Sequence, residues 1–387
     1  MAEPTYIPVL PTGRSALTAY RDLAPAVRAA VAPLWTVPPP DPARPRRPLC
    51  ELLATVAHHQ GAGPAWWDAA GRETGCEASR ETGREFGRET GGGTGGDDPP
   101  AVVSALRDVL PGTPLRPVTG VERPVWQQTA CVEAALTCGD GRGMGIRVVP
   151  APPGHGNLAD RLQDLLARIG HLARSAPTGL PLDLLIDLDA VQGDHTFRLA
   201  EKRALDALAR LGPLHPWRTV SVLAGSCPGT EGAPDGYGAP FAEAERYDWD
   251  LWHLAARSPD GRRLPLVHGD YAAAHPRGVR QPRVIPDGPS WGLLRLTGER
   301  TYLLGRVPAR GADHHTAVRA MARELVATED FDAAPDGEPK RWLRACAEGQ
   351  GPRGAGGPEA WARAAHGQHL AYVVRRLRRW PPDDWAV

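Results

Sequence analysis

Short apolar runs recur along this chain, each bounded by Gly or Pro and each followed by a polar turn and a helical stretch. Eight runs read as strands: Tyr6–Leu10, Val31–Val37, Pro114–Val118, Gly143–Val149, Leu182–Leu188, Thr219–Ala224, Leu264–Val267 and Trp291–Thr297. Most are apolar at successive positions rather than alternate ones, as in strands covered on both faces of a parallel sheet. Between them the apolar period lengthens to that of a helix. Asn157–Ile169 opens on a capping residue and sets Leu158, Leu162, Leu165, Leu166 and Ile169 on one face. His195–Leu211 repeats the device with Phe197, Leu199, Leu205, Leu208 and Leu211.

Strand and helix in alternation make a parallel sheet, and eight strands favour closure. The predicted fold is α/β: a single (β/α)8, TIM-like barrel. An open doubly wound sheet is the rival, and no G-x-G-x-x-G or Walker loop follows an early strand to support its nucleotide-binding form. The rhythm changes after the eighth run. A turn at Gly298–Arg300 leads into Thr301–Arg306, which predicts a terminal β-hairpin. Glu359–Arg379 predicts a C-terminal helix burying Trp361, Ala365, Leu370, Val373, Val374 and Leu377, with Arg375, Arg376, Arg378 and Arg379 in its last turns.

The expected organisation is a barrel domain over residues 1–348, then a linker and the C-terminal helix over 349–387, packed on the barrel. Near-repeats such as GRETG, SRETG and GREFG fill residues 71–100 with almost no apolar content, so a disordered insert is expected there. Smaller Gly/Pro loops span Gly229–Pro240 and Gly349–Pro358.

Composition narrows the class. With 387 residues and 42 % hydrophobic content, the chain can bury a proper core. Its 45 basic and 45 acidic residues balance, so nucleic acid held by bulk charge is not the expected partner, although a local basic groove stays open. The sequence shows no basic, apolar leader and no long apolar run, which predicts a cytoplasmic protein that does not span a membrane. Six cysteines without a C-x-x-C pair read as reduced packing residues rather than a zinc site.

In a parallel barrel, chemistry sits where strands run out on the carboxyl rim. In LLIDLDAV, Asp187 and Asp189 are two apart and share a face. Such a pair can hold one raised pKa for acid–base work or, with Asp270, bind a divalent metal. The plainer reading makes Asp189 a turn residue and Asp187 a structural hydrogen-bond partner. In VHGDY, His268 and Asp270 also share parity, and a carboxylate can fix an imidazole for proton transfer. Arg147 is a lone charge in an apolar strand and must meet a carboxylate or an anionic ligand. Arg14, Arg306 and the turn at Gly225 and Ser226 are further anion-binding candidates, whereas Ser226 lies in no nucleophile elbow. His366 and His369 stand three apart on the last helix and read first as core histidines.

Several of these stretches together resemble one family. The opening YIPVLPTGRSALTAYRDL and APLWTVPP, the central LPLDLLIDLDAV and VSVLAGSCP, then RYDWDLWHLAA, LVHGDYAAAHP and WARAAHGQHLAYVVRRLRR are similar, in this order, to the beta protein family. That resemblance implies a barrel-like fold, an undefined biochemical role and an association with phage or mobile-element genes. It brings no catalytic residues.

Two functions lead at this point, and nucleic-acid processing through a local basic groove is a third. One is a hydrolase, phosphodiesterase-like and acid–base or metal-assisted, on a small anionic substrate. It would use Asp187, Asp189, Asp270 and His268, with Arg147 and Arg306 as clamps. The other is a non-catalytic binding or effector protein for a protein partner in phage–host conflict.

Overall fold

Strands apolar on both faces need cover on both sides, and here a closed barrel provides it. A computed structural model describes residues 5–39, 47–69, 99–139, 141–151, 157–174, 179–229, 241–277, 291–308, 311, 313–333, 335–349 and 356–379. The barrel strands, all parallel, are β1 (Tyr6–Pro11), β2 (Leu34–Thr36), β3 (Ala65–Asp68), β4 (Leu115–Thr119), β5 (Met144–Val148), β6 (Leu182–Ala190), β7 (Thr219–Gly225) and β9 (Leu266–Asp270). Closure is made by β1 on β9, with Tyr6 opposite His268, Ile7 opposite Gly269 and Pro8 opposite Asp270. The predicted (β/α)8 class is what the chain adopts.

Two strands differ from the sequence reading. The third barrel strand, β3, is the AWWD segment, which four residues and a preceding Gly-Pro turn kept below the pattern of a strand. Conversely, Trp291–Thr297 is not the eighth barrel strand. It is β10 in a separate antiparallel sheet, between no barrel partners, with order β10–β11–β8, where β11 is Thr301–Pro308 and β8 is Ala242–Glu245. Once β9 has paired with β1 the barrel has no free edge, so a further strand must pair elsewhere. The hairpin of β10 with β11 is as predicted.

Helices connect and cover the strands: α1 (Arg14–Arg21) and α2 (Pro25–Arg28) before β2, α3 (Leu49–Gln60) before β3, and α4 (Pro99–Ser104) before β4. Then come α5 (Val125–Thr137), α6 (Leu158–Leu172), α7 (Asp194–Leu211) and α8 (Tyr247–Arg257). After the hairpin follow α9 (His314–Val326), α10 (Glu329–Ala333), α11 (Glu338–Glu348) and α12 (Pro358–Leu377). Asn157 stands at the N-cap of α6 as expected, but its side chain bonds Asp160 instead of a backbone N–H.

Barrel side chains divide by parity. Ile7, Val9, Leu34, Trp66, Val118, Leu185 and Leu223 fill the lumen. Tyr6, Leu10, Trp35, Trp67, Ile146, Leu184, Ile186 and Val222 face the helices. Each fully buried Leu or Ile contributes about 1.5–3 kcal/mol. A second core joins the hairpin to α9, α10 and α11 through Leu294, Leu303, Val318, Leu325, Phe331 and Leu343. Helix α12 serves both cores: Trp361 belongs to the second, while Leu370, Val373 and Val374 belong to the first. It packs on α1 and α2, where the eighth helix of such a barrel would lie. Residues 71–98 of the expected insert lie outside the described residues. Among the described residues, no helix is long and apolar enough to cross a membrane.

Candidate functional site

At the carboxyl end of the lumen, the inward positions turn from apolar to charged. Thr36 and Asp68 are register partners ending β2 and β3, Arg147 lies on β5, and Asp187 follows Leu185 inward on β6. Arg147 gathers them. Its Nη1 donates to Asp68 Oδ2 at 2.5 Å and reaches Thr36 Oγ1 at 3.4 Å, and its Nε donates to Asp187 Oδ2 at 2.8 Å. Nη2 donates to Asp187 Oδ2 at 2.6 Å and to the Tyr271 hydroxyl at 2.8 Å. That hydroxyl donates in turn to Asp187, 2.9 Å from Oδ2. Arg123, in the loop after β4, donates to Asp68 Oδ1 at 2.9 Å.

Two arginines and two carboxylates make this set neutral, as burial demands. Burial by itself would lower the Arg147 pKa, but Tyr271 and Asp68 outweigh it and the pKa is raised. Burial also pushes the Tyr271 hydroxyl up, so it stays a donor.

Asp189 sits at the rim of this network. The β6 ladder shifts register between Asp187 and Ala190, and Asp189 takes φ +62°, a left-handed conformation unusual for a residue with a side chain. Its N–H donates to Asp187 Oδ1 at 2.9 Å, which fixes the kink. The carboxyl is half-buried, and burial raises its pKa against the opposing pull of the Ala190 N–H, Arg147 and Arg277. A second strained residue, Ala272 at φ +50°, directly follows Tyr271, and its N–H donates to Asp270 Oδ1 at 2.8 Å.

His268 and Asp270 lie across the barrel wall from Arg147 and Asp187. Gly269 between them faces the lumen, where a Cβ would overlap Leu223 and Ser221, so its neighbours must face outward. There they meet a second buried polar cluster between β1, β9, α8, α12 and the hairpin. The Tyr6 hydroxyl donates to Asp270 Oδ1 at 2.5 Å, and His369 Nε2 lies 2.9 Å from Asp270 Oδ2. His369 Nδ1 lies 3.0 Å from Thr297 Oγ1, and its ring stacks on Tyr302. Arg246 donates to Asp248 Oδ2 at 3.0 Å, and Ser226 donates to Asp248 Oδ1. Burial alone would raise the Asp270 pKa; His369 and His268 hold it well below the ordinary carboxyl value.

The sequence-derived candidates therefore separate. Arg147 and Asp187 bond directly, with Asp189 beside them. Asp270 does not join Asp187 and Asp189, so the divalent site expected from those three does not assemble. Arg14 is exposed and pairs with Glu359 at 3.4 Å, while Arg306 lies on β11 outside the barrel. Gly225 ends β7 against Pro276 and Tyr271, and the Ser226 hydroxyl is spent on Asp248 rather than turned to an anion.

Sequence reasoning missed Asp68, Arg123 and Tyr271 in the lumen, and Tyr6, Arg246, Asp248 and Tyr302 outside it. Signals existed for some: Asp68 closes AWWD, Tyr271 completes VHGDY, and Asp248 lies within RYDWDLW. No curated protein matches this chain. A family model does: the Beta protein model matches residues 6–375, and the chain belongs to the Beta protein family.

Proposed function

We propose that this protein is an acid–base hydrolase for a small anionic substrate, working at the carboxyl mouth of the barrel with Asp189 as the proton carrier. The observation that carries this reading is Asp189 itself: a strained, half-buried carboxyl with a raised pKa, beside a fully paired charge network. Strained backbone persists where surroundings over-determine it, and such positions concentrate at working sites. A raised carboxyl pKa suits Asp189 to give a proton to a leaving group or take one from water. Arg147, Asp187 and Tyr271 are positioning residues that hold the β6 kink and the floor beneath it. Arg277, exposed nearby, supplies positive charge for an anion. His268 and Asp270 support the wall in this reading and do not touch substrate.

The test is hydrolysis of p-nitrophenyl phosphate, bis(p-nitrophenyl) phosphate and p-nitrophenyl acetate by wild type and Asp189→Asn. Asn tolerates the left-handed conformation, so this change isolates the proton. Turnover is expected to fall about 100-fold or more, with stability within about 1–2 kcal/mol of wild type. A variant as active as wild type, or a wild type inert toward all three esters, overturns the reading.

One observation favours the binding alternative: Arg147 spends its donors on Asp68, Asp187, Thr36 and Tyr271, as a structural clamp would.

A further inference from the structure

The outer cluster has a chemistry of its own. Asp248, His268 and Asp270 are buried at 2 %, 0 % and 1 % exposure, and each offers a ligand atom within 4.8 Å of the others. Two buried carboxylates face Arg246 and two imidazoles here, and each imidazole stands close enough to Asp270 to share an ion with it. His268 is the second observation. Neither ring nitrogen makes a hydrogen bond of normal geometry; the nearest group is Asp270 Oδ2, 3.4 Å from Nε2. Its ring is clamped by Tyr6 at 5.4 Å and the edges of Trp249 at 5.2 Å and Trp252 at 5.3 Å. A buried imidazole held this firmly, with Nδ1 unspent and Nε2 only loosely on Asp270, is poorly explained by packing alone.

We propose that Asp248, His268 and Asp270 form a structural zinc site, completed by His369 moving in from its hydrogen bond with Asp270, that staples the barrel to its C-terminal appendage. Donors sharing one tetrahedral zinc stand about 3.4 Å apart. The Asp270 Oδ2 distances to His268 Nε2, 3.4 Å, and His369 Nε2, 2.9 Å, are already near that spacing. The supporting groups suit ligation. His369 turns its other nitrogen to Thr297, the way a metal-bound imidazole is held. Tyr6 and the Ala272 N–H fix Asp270 through Oδ1 and leave Oδ2 facing the histidines, while Ser226 and Arg246 fix Asp248.

Two imidazoles and two carboxylates in a buried site select zinc over magnesium or calcium, which prefer all-oxygen sites and waters. The ligands come from β9, the start of α8 and α12. An ion there ties the wall where the barrel closes to the helix shared with the second core.

The experiment uses the full chain from zinc-supplemented cultures, desalted and assayed by mass spectrometry for metal. Close to one zinc per chain is expected. His268→Phe, which keeps an aromatic ring in the clamp, and His369→Gln are each expected to lose most of it. Cobalt(II) added to chelator-stripped wild type should give the visible bands of a tetrahedral N/O site. Chelation should lower the wild-type Tm and leave that of His268→Phe unchanged. Wild type that retains no stoichiometric zinc and gives no such cobalt spectrum overturns the proposal, even if neither variant folds. Zinc retained undiminished in both variants also overturns it, because the ion then sits elsewhere.

Discussion

Arg147 shows how one side chain organises a barrel floor. It is the lumen cation that two buried carboxylates share, and removing it strips Asp187 of that charge while the Tyr271 hydroxyl and the Asp189 N–H stay on it. Arg147→Met is therefore expected to cost about 3–5 kcal/mol, the scale of breaking one side of a buried pair, measured by urea denaturation. A loss below about 1 kcal/mol would mean that the charges find other partners. His366 makes a different prediction. Burial, with help from His369 and Arg295, lowers its pKa from 6.5 to about 3. Above pH 6.5 both folded and unfolded forms are neutral, and stability is full. As pH falls toward 3, only the unfolded chain takes up the proton, so stability drains away at up to about 1.4 kcal/mol per pH unit. Half-buried His253, lowered to about 4 mainly by burial, adds to the same slope. Tm followed from pH 7 to about pH 4.5 should fall less steeply in His366→Gln than in wild type; parallel curves would contradict this assignment.

Among the elements, β9 is the most constrained. It closes the barrel on β1, sends His268 and Asp270 outward, and leaves no room inward for more than a hydrogen at Gly269. Gly269→Ala is expected to cost about 1–3 kcal/mol by overpacking, read as a lowered urea midpoint with an unchanged slope. An unaffected midpoint would show that Leu223 and Ser221 yield easily. The elements also explain why reading the sequence succeeded unevenly. Helix α6 was legible because half its surface meets water, so apolar and polar positions separate cleanly. Helix α7 was legible as a helix, but it buries Ala200, Ala204 and Ala207 with Leu208 and Leu211, while the expected Phe197, Leu199 and Leu205 are only half-buried. Strand β3 has four buried residues and no polar alternation, and β10 has the same apolar look as a barrel strand. Pattern alone does not say which sheet a buried strand joins.

At the scale of the molecule, α12 joins two cores. Its Trp361 end lies in the hairpin–helix core and its Leu370–Val374 end in the barrel core, with His369 bonded to Asp270 between them. Barrel and appendage are thus expected to unfold together. Tryptophan fluorescence and far-UV circular dichroism should give coincident urea transitions in wild type, and separated midpoints would show two independent units. The same geometry keeps the Arg147 network in the lumen apart from the cluster around Asp270 outside the wall, and the chain steps from one to the other between Asp270 and Tyr271.

Local pattern was enough for the alternation of strand and helix, the barrel class, the hairpin, the last helix, and the parity that sets His268 and Asp270 on one face. Which strand closes the ring, the kink that takes Asp189 off the parity of Asp187, and the side of the wall each residue faces came from the folded chain. The reason is physical: a period of two says that residues share a face, but a strand buried on both sides carries no contrast between water and core to say which face it is. Contacts such as Tyr6 with Asp270, 264 positions apart, exist because the ring closes, and no local pattern encodes them.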